Sequence, residues 1–299
     1  MTTIGVCIPT YDRPQELARL LESLPATVRA FVSDNGDLLD QAYRDRYPTV
    51  RFQGTGGTVL SMFANWNRAA RLADTDWLLV PSDDDIYHPG AFDVIAAAIA
   101  ANPGAGVIVF GHDIVGDAYE VLSTWRPQAG TAPAPTGFER FKYGVQARMP
   151  SVAFRRTAIE ALGFFDEGFA CTASDSDLVQ RALLTFDAAF VPDVVAGYRV
   201  WARSATTATL ATQRWLADVD YWGTKIEKLM RGIPAYAAQA RHVRDELYAT
   251  NLLAGLRLLR SRGAARECRP HFRASRYPWA ARWTTQLRIL AQLARASVA

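Results

Sequence analysis

The chain has 299 residues, 49% of them hydrophobic and 21% charged, with eight tryptophans and eleven tyrosines. That length suits one large α/β domain plus an appendage, and the aromatic content excludes a chain disordered throughout. The formal net charge of +3 conceals a split: residues 210–299 hold 16 Lys and Arg against 6 Asp and Glu, whereas residues 1–209 carry a net negative charge, so two regions with different partners are expected.

In chain order, Ile4 to Ile8 reads as a buried strand ended by Pro9. Leu17, Leu20, Leu21 and Leu24 then fall at helical spacing after Pro14. Val28 to Val32 is a second strand, stopped by the turn formers Ser33-Asp34-Asn35-Gly36-Asp37. A helix is expected over 40–47, a short strand over 50–52, and a helix over 58–73 entered through Gly56-Gly57. Trp77 to Val80 is an apolar strand running into Pro81-Ser82-Asp83-Asp84-Asp85. A helix over 89–101 and a strand over 107–110 come next. Strands alternating with helices imply a mostly parallel sheet covered on both faces, with ligands beyond the carboxyl ends of its strands. The polar clusters at Thr10-Tyr11-Asp12, Ser33-Asp34-Asn35 and Asp83-Asp84-Asp85 each come directly after a strand, so all three are expected to meet at one sheet edge.

Residues 111–150 are less regular. A strand near 151–154, a short helix over 157–162 and a helix over 174–186 come after them, and from about Thr209 the pattern is helical and arginine-rich. Three cysteines (Cys7, Cys171, Cys268) stand far apart, and the four histidines show no metal-ligand spacing. These features argue against a zinc ribbon and against a disulfide scaffold. A reducing, cytoplasmic setting is expected. The first residues lead straight into a strand with no signal-peptide pattern, and no window reaches eighteen clean apolar residues.

Three adjacent carboxylates after a buried strand repel one another unless a partner is present. Hard oxygen ligands of this kind suit Mg²⁺ or Mn²⁺ together with substrate phosphates, the alternative being a solvated turn with Asp85 near a helix start.

The segments Ile8-Pro-Thr-Tyr-Asp-Arg-Pro14, Val32-Ser-Asp-Asn-Gly36 and Ser82-Asp-Asp-Asp-Ile-Tyr-His-Pro89 resemble the family 2 inverting glycosyltransferases, which have the GT-A fold. Pro150-Ser-Val-Ala-Phe-Arg-Arg156, Gly163-Phe-Phe-Asp-Glu167 and Ser174-Asp-Ser-Asp-Leu178 resemble the acceptor half of that family, in matching order over roughly residues 3–200. The resemblance implies a nucleotide-diphospho-sugar donor (UDP, dTDP or GDP), a sugar or lipid-linked acceptor, and Mn²⁺ or Mg²⁺ as cofactor. It implies nucleotide-sugar contacts at Pro9, Thr10, Tyr11, Asp34, Asn67 and Asp83, and metal contacts at Asp84 and Asp85. Tyr11 would lie against the base, Asp34 would accept a base N–H, and Asp83 would hold the ribose or the metal. Asp175 would be the general base that inversion requires, with Asp177 the second candidate. Asp34 reads equally as a turn-stabilising residue, and Ser174-Asp175 as a helix cap.

Some positions depart from the family. Trp66 stands where many members place an arginine before Asn67, leaving Asn65 and Arg68 as substitutes. Ser174 replaces a glutamate, and Trp201 replaces a histidine, so that either Arg203 replaces the metal-side contact or metal dependence is weaker than is usual in the family. Gln213-Arg214-Trp215 lacks the spacer of the processive synthases' Q-x-x-R-W, so one sugar per encounter is expected.

The expected division is a GT-A domain over 1–208 (nucleotide-sugar half 1–110, acceptor half 111–208) and a helical region over 209–299. Between Arg257 and Arg295 stand ten arginines and one acid, Glu267, with Trp279, Trp283, Leu287, Leu290 and Ala294 near one helical face. That face suits packing on an acidic domain surface or peripheral binding to the acidic inner face of the cell membrane; no nucleic-acid motif is present. Taken together, the expectation is an inverting transferase of cell-surface polysaccharide or glycolipid synthesis. The alternatives are a catalytically idle sugar-nucleotide-binding or interaction protein, and a nucleotidyltransferase of similar fold. The last would want a glycine-rich basic phosphate loop, for which only Arg13 is in place.

Overall fold

The computed structural model describes residues 2–201 and 208–296. They form two compact units: Met1–Phe141 with Val145–Glu167 and Leu178–Trp201, and Lys142–Gly144 with Gly168–Asp177 and Ala202–Ala299. The second unit thus takes in two short segments that lie before residue 208 in the chain.

The first unit is built on one sheet. Its strands are β1 (Ile4–Thr10), β2 (Arg29–Asp34), β3 (Arg51–Gly54), β4 (Trp77–Leu79), β5 (Ile86–Tyr87), β6 (Val107–Val115), β7 (Val121–Trp125), β8 (Gly130–Ala132), β9 (Val152–Arg155) and β10 (Ala188–Arg199). The path is β3-β2-β1-β4-β9-β6-β10-β5, with β7 on β6 and β8 on β10. Pairs β1/β2, β2/β3, β1/β4 and β6/β10 are parallel; β9 runs antiparallel between β4 and β6. The sheet is therefore parallel over β3-β2-β1-β4 and mixed beyond it, rather than parallel throughout.

Helices α1 (Pro14–Glu22), α2 (Gln41–Asp45), α3 (Met62–Leu72), α4 (Ala91–Ala101), α5 (Arg156–Ala161) and α6 (Ser174–Thr185) keep the expected order. Proline opens α1, where its missing N–H is not needed, and Leu17, Leu20 and Leu21 form its buried stripe. That stripe packs with Phe92, Ile95 and Ile99 of α4 against Val6, Ile8, Val32 and Leu79. Side chains alternate across a strand, so Cys7, Phe31 and Leu78 face the other side, where α3 meets β1 and β2. Helix α3 starts at Met62 rather than at 58, because Ser61 caps it, accepting from the N–H of Ala64, and Gly56 and Gly57 sit at positive φ.

Strands β5, β7, β8 and β10 were not expected. Pro192 and Asp193 break the apolar run of β10, and the register slips there, between Val191 and Val194.

The second unit holds α7 (Gln213–Arg231), α8 (Pro234–Ala237), α9 (Ala240–Ser261), α10 (Cys268–Arg273) and α11 (Trp283–Arg295). Trp215, Val219, Trp222, Ile226 and Met230 of α7 are buried, as are Val243, Leu247, Leu252 and Leu256 of α9, and the two helices pack together. Its acids are consumed internally: Arg276 bonds Asp220 and Asp245, Arg244 bonds Asp220 and Glu227, and Arg282 bonds Glu246. No helix among the described residues is long and apolar enough to cross a membrane.

His112 on β6 is buried beside Trp125, with Nδ1 3.3 Å from the Ser151 hydroxyl. Burial, reinforced by the charge of Arg148, pushes its pKa down to about 4. Unfolding returns it to about 6.5, so the unfolded chain binds the extra proton between these values. The stability that neutral His112 contributes is complete above pH 6.5 and is lost as pH falls toward 4. The difference in unfolding free energy between wild type and His112→Gln should therefore shrink across that interval in urea titrations, and a constant difference would contradict the assignment.

Candidate functional site

The three polar clusters do meet at the carboxyl edge of the parallel strands. Thr10 and Asp34 are register partners, the N–H of Asn35 donates to the carbonyl of Thr10 (3.1 Å), and Thr10 Oγ1 donates to Asp83 Oδ2 (2.8 Å).

The acidic motif is buried, each residue being at most 6% exposed. Arg13 Nη1 spans it, 3.0 Å from Asp83 Oδ1 and 3.1 Å from Asp84 Oδ2. Trp201 Nε1 also donates to Asp84 Oδ2 (2.9 Å), and the Tyr119 hydroxyl donates to the Asp84 carbonyl (3.3 Å). The Arg13 guanidinium lies 5.3 Å from the Trp201 ring centroid, and that of Arg199 lies 5.7 Å from it and 5.0 Å from Tyr119. Asp85 plays a different part. Its Oδ2 accepts the N–H of Ser82 (2.9 Å) and its Oδ1 the N–H of Arg199 (3.2 Å), so it fastens the motif to β10. Burial pushes Asp83 up to about 7 against the pull of Arg13, and burial with the Asp84 charge pushes Asp85 well above the usual carboxylate range.

Of the six carboxylate oxygens, five accept hydrogen bonds and only Oδ1 of Asp84 accepts none among the described residues. No group of three or more His, Cys, Asp or Glu among those residues is arranged to hold a metal. The donor set therefore fits a hard cation that takes one carboxylate oxygen and draws its other ligands from water and substrate phosphate, as Mg²⁺ and Mn²⁺ do. The metal contact expected of Asp85 is not favoured, since both its oxygens are bonded to backbone. Arg203 lies outside the described residues.

Beyond β1 and β2 the surface is apolar. Tyr11 is 51% exposed, Leu38 49% and Val59 57%. All three surround Gly36, whose φ of +86° and lack of a side chain leave the space between them open; a Cβ there would stand 3.4–3.8 Å from each. Asn35 pins the loop bearing Val59 through reciprocal bonds to Leu60 (2.7 and 3.1 Å). Pro9 is buried within β1 opposite Ser33.

The structure turns two expected donor contacts inward. Asp34 is fully buried; its carboxylate accepts the N–H groups of Leu38 and Leu39 (3.0 Å each) and Arg44 Nη2 (2.9 Å), so in this structure it holds its own turn. Asn67 is 1% exposed; its amide bonds both backbone groups of Phe165 (2.9 Å each) and the Glu167 carboxylate (2.7 Å). Trp66 packs edge-on to Phe165, so this helix face secures the 165–167 loop instead of a ligand. Arg68 donates from Nη2 to the Gly54 carbonyl. The sequence reading missed Ser33, whose hydroxyl donates to Asn65 Oδ1 (2.7 Å) while Asn65 Nδ2 donates to the Thr10 carbonyl (3.2 Å). The signal was there: Ser33 precedes Asp34 at the strand end, on the opposite side of the pleat.

In the second unit, Asp175 lies half-buried in the first turn of α6, with Oδ1 accepting the N–H of Ser176 (2.7 Å). Asp177 is fully buried and paired with Lys225 Nζ (2.9 Å). The segment before α6 is tightly held. The Asp218 carboxylate of α7 accepts the N–H groups of Ala170, Cys171 and Thr172 (2.7–3.0 Å), and Ala173 adopts φ +68°. Asp218 is a positioning residue with no motif to announce it in the sequence.

Asp34→Ala separates the two readings of that residue. Removing the acceptor for two buried N–H groups and one guanidinium should cost about 2–4 kcal/mol of stability. A variant with unchanged melting and only weakened nucleotide binding would restore the ligand role.

The comparisons with known proteins agree with this geometry. No curated protein sequence matches the chain. Among solved structures, TarS of S. aureus (residues 1–349) in complex with UDP-GlcNAc is similar, with TM-score 0.63 and 14% identity over 99% of this chain and 90% of that one. So is the mannosyltransferase PcManGT of Pyrobaculum calidifontis in complex with GDP-Man and Mn²⁺, with TM-score 0.55 and 17% identity over 98% and 86% of the two chains. At such identities the likeness establishes the GT-A fold, here extended by C-terminal helices. The family model "Glycosyl transferase family 2" matches residues 5–163, just over half of the chain, and the chain belongs to that family of glycosyltransferases.

Proposed function

We propose that the chain transfers one sugar per encounter from a nucleotide-diphospho-sugar to an acceptor hydroxyl, with inversion at the anomeric carbon. The observation that carries this reading is Asp84 Oδ1, the one oxygen of the acidic motif that accepts no hydrogen bond among the described residues, set beside Arg13 at the strand edge where Tyr11 stands exposed. In this reading Asp84 holds Mn²⁺ or Mg²⁺. When bound, the cation offsets charge developing on the departing diphosphate. Arg13 adds fixed positive charge at the same motif, bonded to both Asp83 and Asp84. Tyr11, Leu38 and Val59 offer an apolar face to the nucleobase, and Thr10 with Asp83 offers polar groups to the ribose.

Asp175 is proposed as the base. Its Oδ2 accepts no hydrogen bond among the described residues, whereas Asp177 is committed to Lys225. Asp175 takes the proton of the acceptor hydroxyl while that oxygen bonds to the anomeric carbon. The bond from that carbon to the diphosphate oxygen breaks on the opposite face, leaving its electron pair on the nucleotide. The division into a donor half (1–110), an acceptor half (111–208) and a helical region (209–299) is proposed with it. The acceptor is proposed to be a sugar of a cell-surface polysaccharide or glycolipid, a reading supported by the basic helical unit.

UDP-, dTDP- and GDP-sugars should be screened by thermal shift with and without Mn²⁺. One nucleotide class should raise the melting temperature, with about 2.7 kcal/mol of stabilisation at a hundredfold excess over Kd. The shift should require the metal and vanish in Asp84→Ala. Asp175→Asn should keep the shift and lose roughly 10²–10⁴-fold in turnover. Absence of any donor shift, or full turnover in Asp175→Asn, would defeat the corresponding assignment.

A further inference from the structure

Helix α11 is inside out. Its buried face is largely polar: Thr285 donates to Glu246 (2.7 Å), Gln292 accepts from Arg260 Nη1 (2.6 Å), and Ile289 alone of the fully buried positions is apolar. Its outward stripe is apolar. Trp283 is 71% exposed, Leu287 53% and Leu290 46%, positions that share one side of the helix, and Ala294 is exposed in line with them. Trp279, 74% exposed, extends the stripe: Gln286 of α11 donates to the carbonyls of Trp279 (3.2 Å) and Ala281 (2.9 Å), fixing that segment to the start of the helix. Two large tryptophans and two leucines left in water are a patch that a soluble surface does not accumulate by chance.

The charge around this patch identifies what covers it. Residues 268–296 contain six arginines and no Asp or Glu. Arg288 and Arg295 are exposed beside the stripe, each next in the chain to one of its residues, and neither forms an ion pair among the described residues. A second copy of the same face would bring arginines against arginines. An acidic bilayer surface matches on both counts, since tryptophan and leucine enter the boundary between headgroups and acyl chains while arginines meet lipid phosphates. Polar anchors on the buried side keep the helix seated on its own unit while the apolar side faces outward.

We propose that α11, with Trp279, is an interfacial docking helix for an anionic membrane surface. The proposal does not depend on the transfer chemistry, so either can fail without the other.

The test is sedimentation of the full chain with vesicles of phosphatidylcholine alone and of phosphatidylcholine with roughly 30–40% phosphatidylglycerol, a composition chosen to be strongly anionic. The wild type should bind the anionic vesicles and be released by salt. Arg288→Gln with Arg295→Gln should weaken binding on the order of ten- to thirty-fold. Trp279→Ser with Trp283→Ser should abolish it at any salt concentration, with the melting temperature unchanged because both side chains are already in water. Equal binding to neutral vesicles, no binding to either, or equal binding by the tryptophan variant would overturn the proposal. So would a wild-type dimer in solution that the tryptophan variant loses, since a second copy would then be the occupant.

Discussion

Burying three consecutive carboxylates at the end of β4 is the constraint to which the rest of the first unit answers. Like charges at such separations repel strongly when water is excluded, and each carboxylate is given a different compensation. Asp85 is neutralised structurally, by backbone N–H groups of Ser82 and Arg199. Asp83 is held by Thr10 and Arg13, and burial still lifts it to about 7. Asp84 shares Arg13 and takes the indole of Trp201, and its Oδ1 accepts no hydrogen bond among the described residues.

The topology delivers those compensations from far along the chain. Parallel pairing of β1 with β2 and β4 brings Thr10, Ser33 and Asp83 to the same edge. Strand β10 then carries Arg199 and Trp201 to the motif more than a hundred residues after it. The same logic governs the second unit, where Asp218 on α7 collects the N–H groups of the segment leading into α6 and so fixes the backbone just ahead of Asp175.

Trp201 illustrates how a departure from a family pattern becomes physically sensible. A neutral indole cannot ligate a cation, yet its N–H orients the carboxylate that would, and its ring lies near both Arg13 and Arg199. The position keeps contact with the acidic motif through an N–H donor.

The amino-acid sequence by itself determined the order of the elements through residue 110 apart from the two-residue β5, because apolar periodicity and turn formers act locally whereas β5 exists only by pairing with β10. It also determined that the three polar clusters share an edge, because parallel βα units send the residues after each strand to the same side of the sheet. Tertiary structure alone decided that Asn67 is spent inside the fold, on Phe165 and Glu167 from far along the chain, whereas the turn role of Asp34 was legible locally, its N–H partners being Leu38 and Leu39. It decided as well that β9 runs antiparallel, that β10 exists despite Pro192 and Asp193, and that the Trp283 stripe of α11 faces outward. Each of these depends on which partners arrive from elsewhere in the chain, and a pattern of residue types does not carry that information.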